Sequence, residues 1–144
     1  MQKYFTEKDL HGLTLAGNFR DLSKIALEII KRMPQPVVQV CGPMTTGGKG
    51  TLEENLAVFG ETIKTLTERG EYVFNQMPFE SPMQRMKTED WYKGGSQILD
   101  GFYLPIFESG FIKTLYFIEG WEESVGASWE HEQALRLGIG IVYL

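Results

Sequence analysis

Two loops of this sequence carry residue types suited to chemistry. The first, residues 41–50 (CGPMTTGGKG), supplies four glycines, two threonines and Lys49 directly before a predicted helix. Backbone amides of such a loop can approach an anion closely, and the helix N-terminus adds to the attraction. A flexible loop with a solvated lysine fits the same composition, and the spacing is neither GxxxxGK[ST] nor GxGxxG.

The second loop, residues 120–127 (GWEESVGA), leads into a helix that contains Glu130. Ala127, Glu130, Ala134 and Leu137 recur at helical spacing, so Glu130 shares an apolar face. We expect this carboxylate to lie in the first turn, where the helix dipole keeps it ionised while neighbours partly shield it from water. Such a group can act as a nucleophile. A glutamate that merely complements the dipole remains the alternative.

The two histidines of the sequence give little support for a metal site or a Ser-His-Asp catalytic triad. His131-Glu132 begins an HExxH-like string, but Leu135 occupies the second histidine position and His11 is the remaining histidine. We therefore predict no metal site, no cofactor and no Ser-His-Asp arrangement. Trp121 and Trp129 flank the second loop, where one of them can stack on a ring; packing is the alternative role.

Composition narrows the class of protein. The net charge of −5 comes with no basic cluster, so a nucleic-acid polymer is a poor partner. Cys41, the single cysteine, ends an apolar run and is interpreted as a small buried residue rather than a nucleophile. No apolar run approaches the roughly 20 residues of a membrane span, and the N-terminus lacks the pattern of a leader. We expect a cytoplasmic protein without a membrane partner.

The elements that must position these loops follow from periodicity. We predict helices at 21–33, 51–70 and 127–137, strands at 37–41, 71–75, 114–119 and 139–144, and a weak helix from Thr88 toward Glu108 that is interrupted near Gly94 and Gly95. The alternation predicts one α/β domain. Its fold is expected to be three-layer and Rossmann/flavodoxin-like, an open parallel sheet of four or five strands with helices on both faces.

The residues of the second loop and its helix carry a resemblance. Residues 120–134, with Gly120, Trp121, Glu130 and the closing Leu137-Gly138, resemble a deoxyribosyltransferase-like family of bacteria and phages within the nucleoside 2-deoxyribosyltransferase superfamily. The superfamily's Gly-Thr-x-x-Glu motif matches residues 126–130 (GASWE), so the resemblance places the nucleophilic glutamate on Glu130.

The first loop carries the same resemblance. Residues 40–48 are similar to the substrate loop of the 2′-deoxynucleoside 5′-monophosphate N-hydrolases, and residues 73–75 to the superfamily's second strand and the polar residue after it. The match covers 36–144, which leaves residues 1–35 as an N-terminal helical extension. The resemblance implies that substrate is bound by Gly42, Pro43, Met44, Thr45, Gly47, Gly48, Asn75, Trp121, Ser124, Gly126 and Ala127.

One position bears on the substrate. Six residues before the glutamate, true deoxyribosyltransferases resemble one another in having Asp, whereas the monophosphate hydrolases have a phosphate-binding Ser, and here it is Ser124. A hydroxyl can donate to a phosphate dianion that an aspartate would repel.

The chain also departs from the family at two positions. The family has an aspartate on the helix before the third strand, whereas Tyr103 or Pro105 occupies that place here and Asp100 is out of phase. The basic residue early in the first loop is replaced by Thr45, with Lys49 nearest.

A second resemblance concerns residues 47–54 (GGKGTLEE), which are similar to the GGxGTxxE motif of the cytokinin-activating phosphoribohydrolases. In that family the motif follows a later strand, so we interpret it as a convergent phosphate-binding loop.

The resemblances together imply an N-glycosidase that hydrolyses a nucleoside 5′-monophosphate through Glu130. The alternatives are a base-exchanging nucleoside 2-deoxyribosyltransferase and a non-catalytic nucleotide-binding module. The expected partners are a small-molecule nucleotide or nucleoside and a further copy of the chain, in a homodimer or larger oligomer.

Overall fold

The computed structural model of the chain describes residues 3–44 and 47–144. Contacts between residues divide the chain into two compact units. The helical unit comprises the segment that ends at Met33 together with Asn75–Phe111, and the sheet unit comprises Pro34–Phe74 and Ile112–Leu144. The N-terminal helices therefore share a unit with the later segment 75–111, a grouping that periodicity did not indicate.

Eleven α-helices and β-strands are defined within the described residues. In order they are α1 (Glu7–Leu15), α2 (Phe19–Arg32), β1 (Val37–Cys41), α3 (Leu52–Glu68), β2 (Tyr72–Val73), α4 (Glu80–Met86), α5 (Ser96–Ile98), α6 (Leu104–Glu108), β3 (Ile112–Phe117), α7 (Val125–Leu137) and β4 (Gly140–Tyr143). Within the described residues, no helix has the length and apolar character needed to cross a membrane.

The first two helices of the helical unit are capped by side chains. The Thr6 hydroxyl accepts from the Asp9 backbone N–H, and the Asp9 carboxylate accepts from the Thr6 N–H, which closes a capping box at the start of α1. Asp9 also pairs with Arg32 of α2. Periodicity missed α1 because its buried residues, Asp9 and Leu13, do not form an apolar stripe.

The helix predicted from Thr88 toward Glu108, with an interruption near Gly94 and Gly95, is present only beyond that interruption. Residues 87–91 form turns, and the helical stretch begins only at Ser96, where α5, a π-helical turn (Leu99–Tyr103) and α6 follow one another to Glu108. Gly94 has a φ of +151°, a conformation that no helix contains. The late start follows from this backbone geometry.

The sheet unit confirms the predicted fold class. Its four described strands are all parallel, in the order β2-β1-β3-β4, with helices flanking the sheet, as in three-layer Rossmann/flavodoxin-like folds. The predicted bounds of β1 are correct. β2 is shorter than predicted, since Tyr72 and Val73 pair with β1 and Phe74 contributes one further N–H to the carbonyl of Val38, at 2.9 Å.

The register assigns side chains to two faces of the sheet. Gln39 and Cys41 pair with Leu115 and Phe117, and Phe117 contacts His131 of α7, so these residues share the α7 face. The opposite face carries the alternate residues of each strand, with α3 beside them: Val38, Val40, Thr114, Tyr116 and Val142.

Helix α3 forms much as the sequence predicts. The Thr51 hydroxyl accepts from the Glu54 N–H at 3.1 Å, and Phe59, Ile63 and Leu66 are buried. Burying side chains of this size contributes about 1.5–3 kcal/mol each, which holds the helix on the sheet. The predicted C-cap shifts by one residue, since Arg69 is the cap and Gly70 follows it with a φ of +93°.

Candidate functional site

The site lies at the carboxyl edge of β1 and β3. The chain leaves β1 toward β2 on one side, whereas β3 pairs on the other side, so the connections diverge between these two strands. Open parallel sheets bind ligands in the crevice at this switch point. The loops that begin at Gly42 and Ile118 both start from this edge, as the sequence predicts.

Asn55 of α3 holds the glycine-rich loop. Its Nδ2 donates to the carbonyls of Met44, at 2.7 Å, and Gly47, at 3.3 Å. Its Oδ1 accepts from the backbone N–H of Lys49 at 2.8 Å. Asn55 is buried, so these bonds form in a weakly screened environment and fix three points of the loop to the helix.

Glycines let the two loops approach each other. A Cβ on Gly42 would lie 2.8 Å from the Ile118 Cβ, and one on Gly47 would lie 3.0 Å from the Glu123 Cβ. Gly47 has a φ of +72°, which further restricts this position to glycine. Gly48 has a φ of +63° and leaves no room for a side chain beside Pro43.

A cleft of about 520 Å³ opens between the two loops on the α3 side. Lys49 contributes the one positive charge among its lining residues, whereas Glu119 and Glu123 contribute two negative charges. A phosphate in this cleft would face net negative charge. The more favourable place for an anion at this edge is therefore the N-terminus of α7, whose backbone amides and dipole attract it.

Ser124 begins α7. Its hydroxyl oxygen accepts from the backbone N–H of Ala127 at 3.2 Å, and the residue is buried. The helix therefore starts at Val125, two residues before the predicted start, with Gly126 and Ala127 in its first turn. The Ser124 O–H remains available as a donor, because the cap uses the oxygen only as an acceptor.

The earlier start of α7 corrects the expected setting of Glu130. Counted from Val125, Glu130 is in the second turn, beyond the reach at which the dipole acts most strongly. It shares a buried face with Ala127 and Ala134, as predicted. Burial raises the pKa of Glu130 to about 8, against a partial lowering by the Cys41 thiol. This raised pKa runs against the expectation that the helix dipole keeps the group ionised.

Cys41 is the neighbour of Glu130 that sequence reasoning did not identify. The residue is completely buried at the end of β1, and burial followed by the Glu130 carboxyl raises the pKa of its thiol well above the usual range. A thiol held in this form donates to a carboxylate and does not attack. The structure thus agrees with a non-nucleophilic Cys41 and gives it a polar contact.

Polar atoms without partners gather on the α7 side of the sheet unit. Glu130 Oε2 and both amide atoms of Gln39 have no hydrogen-bond partner among the described residues. Gln39 lies two residues before Cys41 on the same face of β1 and is fully buried. Each unsatisfied buried group costs about 1–3 kcal/mol, and such groups mark strained or functional positions.

An aromatic cluster borders the same helix. The Trp121 ring stacks on His131 at a centroid distance of 4.3 Å, and His131 Nε2 lies 2.7 Å from the Tyr143 hydroxyl. Phe117 contacts all three rings from β3. One face of Trp121 is therefore already used in stacking within the protein.

Other predicted site residues lie elsewhere or outside the described structure. Asn75 belongs to the helical unit, where its Oδ1 accepts from the Met77 N–H at 3.0 Å. Tyr103, Pro105 and Asp100 belong to that unit too, with Tyr103 buried and Asp100 exposed. Thr45 is not among the described residues.

The sheet unit brings together the predicted residues of both loops and Glu130. Within residues 3–44 and 47–144, no three His, Cys, Asp or Glu side chains gather as a metal ion would require. Comparisons of the chain with models of known protein families, with curated proteins and with solved structures found no significant match. The chemistry of the site must therefore be inferred from its geometry.

Proposed function

We propose that the protein is an N-glycosidase that hydrolyses the N-glycosidic bond of a nucleoside 5′-monophosphate, with Glu130 as nucleophile. The observation that carries the proposal is the buried Glu130 carboxyl, whose Oε2 lacks a partner beside the carboxyl end of β1. The resemblance of residues 120–138 to the nucleoside 2-deoxyribosyltransferase superfamily supports the same residue. We propose membership of that superfamily and a cytoplasmic role in nucleotide metabolism on this basis.

The reaction has two steps. A carboxylate oxygen of Glu130 attacks C1′ while the C1′–N bond breaks, and the base leaves with the bonding electron pair and takes a proton from solvent, to which the attacking water of the second step returns one. Water then attacks the glycosyl-enzyme ester, which releases (deoxy)ribose 5-phosphate and restores Glu130. This is the logic of retaining glycosidases.

The phosphate is proposed to bind at the N-terminus of α7. The Ser124 hydroxyl has an unused donor there, and the amide of Gly126 lies in the first turn, whereas the Ala127 amide donates to the Ser124 oxygen. The backbone of the glycine-rich loop, through Gly42, Gly47 and Gly48, completes the surroundings. A local set of amides attracts an anion even in a chain whose net charge is −5.

The raised pKa of Glu130 limits how much of the protein carries an ionised nucleophile. The nucleophile must be ionised, yet burial favours the neutral carboxyl below pH 8. The thiol of Cys41 stabilises the ionised form by donating to it, so the pair sets the fraction of protein that is ready to attack.

Timed chromatographic release of free base from each common nucleoside monophosphate tests the proposal. Release by the wild type and not by Glu130→Gln is expected. Addition of a second free base separates the alternatives, since a deoxyribosyltransferase would form a new nucleoside from it. If calorimetry detects binding of nucleotides but no base is released, the protein is a nucleotide-binding module and not an enzyme.

A further inference from the structure

His131 joins three parts of the sheet unit. It follows Glu130 on α7, and its ring stacks on Trp121 at a centroid distance of 4.3 Å and an interplanar angle of 17°. Trp121 opens the short turn Trp121–Glu123 that precedes α7. The His131 Nε2 lies 2.7 Å from the hydroxyl of Tyr143 on β4. One imidazole therefore connects the turn, the helix and the strand.

The Trp121 indole packs against the hydrogen-bonded pair of His131 and Tyr143. It is nearly parallel to the Tyr143 ring, at 14° and a centroid distance of 5.9 Å, as it is to the His131 ring. Phe117 of β3 meets His131 edge-on at 5.3 Å and lies 5.2 Å from the indole. Of these three rings, His131 is the nearest to Trp121, so its loss removes the closest stacking partner in the cluster.

The turn held by this stack leads directly to Ser124. The Ser124 N–H donates to the carbonyl of Trp121 at 3.0 Å, and the Trp121 N–H donates to that of Ile118 at 3.1 Å. Hydrogen bonds between residues so close in the chain set the shape of a turn. The stack on His131 instead ties the turn to the second turn of α7. The place of the turn in the sheet unit therefore depends on this ring.

The same turn carries charges that matter to a phosphate. Glu122 and Glu123 are exposed and occupy the two positions before Ser124. Their carboxylates repel a phosphate dianion at Ser124, and the repulsion grows as the distance shrinks. A turn that is held by Trp121 keeps both carboxylates at fixed distances from the start of α7. A neutral nucleoside is not subject to this repulsion.

We propose that His131 is a positioning residue for the 5′-phosphate, because its ring holds Trp121 and thereby the turn that leads to Ser124. The proposal rests on the proposed function, since it needs a phosphate at the start of α7. Adjacent residues of a helix point about 100° apart, so Glu130 faces Cys41 while His131 faces the aromatic rings. His131 therefore takes no part in making or breaking bonds, and its loss weakens the binding of phosphate-bearing ligands selectively.

Calorimetric titration in a Glu130→Gln background tests the proposal, because this background leaves bound nucleotide intact. The ligands are the four common 2′-deoxynucleoside 5′-monophosphates and the matching nucleosides. His131→Ala removes both the stack and the hydrogen bond, so binding of monophosphates is expected to weaken about tenfold and binding of nucleosides by about twofold at most. His131→Phe keeps a ring for Trp121 and is expected to recover most of the lost affinity.

Two further variants separate the stack from a general effect of substitution. Tyr143→Phe removes the hydroxyl that bonds to His131 and should weaken monophosphates less than His131→Ala does. Added to His131→Ala it should cause no further loss, since that bond is already broken. His11→Ala is the matched control, because it truncates an exposed histidine in the helical unit, and it should bind both ligand classes as the background protein does.

Circular dichroism establishes that each variant is folded. Equal losses for monophosphates and nucleosides in His131→Ala would give this residue a merely structural role and overturn the proposal. Unchanged binding of monophosphates in His131→Ala, or no binding of them by the background protein, would overturn it as well. Failure of the proposed reaction has a different signature: the wild type releases no base, while His131→Ala still weakens monophosphates selectively.

Discussion

The thiol of Cys41 and the carboxyl of Glu130 contact each other inside the sheet unit, although they lie 89 positions apart in the chain. Cys41 ends a central strand and Glu130 lies in the second turn of the helix beside it. The thiol lowers the pKa of the carboxyl, and the carboxyl raises the pKa of the thiol. Protonation of one group therefore depends on the other.

The first prediction concerns the nucleophile. Glu130→Gln keeps the shape of the side chain and removes the charge that attacks C1′ and balances the developing positive charge on the sugar. We expect release of base to fall by several orders of magnitude, equivalent to about 4–8 kcal/mol of barrier. The comparison uses Glu132→Gln, an exposed glutamate on the same helix. Activity within tenfold of wild type in Glu130→Gln would make Glu130 structural.

The pH dependence of catalysis supplies the second prediction. Because the pKa of Glu130 is raised to about 8, kcat/KM should rise with pH and level off above that value. Cys41→Ala removes the donor that lowers this pKa, so the rising limb should move to higher pH. Cys41→Ser retains a donor and should shift the limb less. Superimposable profiles for the wild type and Cys41→Ala would show that the thiol does not tune the carboxyl.

Stability should depend on pH through the same group. The pKa of Glu130 is 4.5 in its ordinary state and about 8 in the folded protein, so the folded protein holds a proton that the unfolded chain releases. The free energy of unfolding should therefore fall between about pH 4.5 and 8, by at most about 1.4 kcal/mol per pH unit. Denaturant unfolding of Glu130→Gln should lack this component. Parallel curves for the two proteins across this range would contradict the buried, neutral carboxyl.

The fourth prediction separates phosphate recognition from helix capping at Ser124. Ser124→Asp keeps an acceptor for the Ala127 N–H but adds a negative charge, so binding of monophosphates should weaken far more than binding of nucleosides. Ser124→Ala removes the cap and should lower the free energy of unfolding by about 0.5–2 kcal/mol. Calorimetric titration of both ligand classes provides the measurement. Equal losses for the two classes would exclude a phosphate contact at this residue.

Periodicity predicted the elements of the sheet unit because each has a local signal. Val37–Cys41 is an uninterrupted apolar strand apart from Gln39, and the face of α7 is visible in the spacing of Ala127, Glu130 and Ala134. The elements of the helical unit were harder to predict, because the backbone at Gly94 and a π-helical turn interrupt its later helices. A pattern of 3.6 residues does not persist through such interruptions.

Site residues could be predicted from the sequence when they belong to a motif. They could not be predicted when only a contact in the folded protein brings them to the site. The spacing indicated Glu130 and both loops, but the partnership with Cys41 depends on which face of β1 meets α7. Asn55 was missed because its surroundings in the sequence are those of an ordinary amphipathic helix. Its one local signal is an amide on the first turns of a helix that follows a glycine-rich loop.

The three hydrogen bonds of Asn55 determine when the glycine-rich loop loses its conformational freedom. Because hydrogen bonds within the chain tie Met44, Gly47 and Lys49 to α3, the entropy of ordering these positions is lost during folding. A ligand that binds at this edge meets backbone groups that are already in place, and preorganisation of this kind strengthens binding. Glycines that leave the unfolded chain unusually flexible thus form a rigid receptor surface once a single amide side chain holds them.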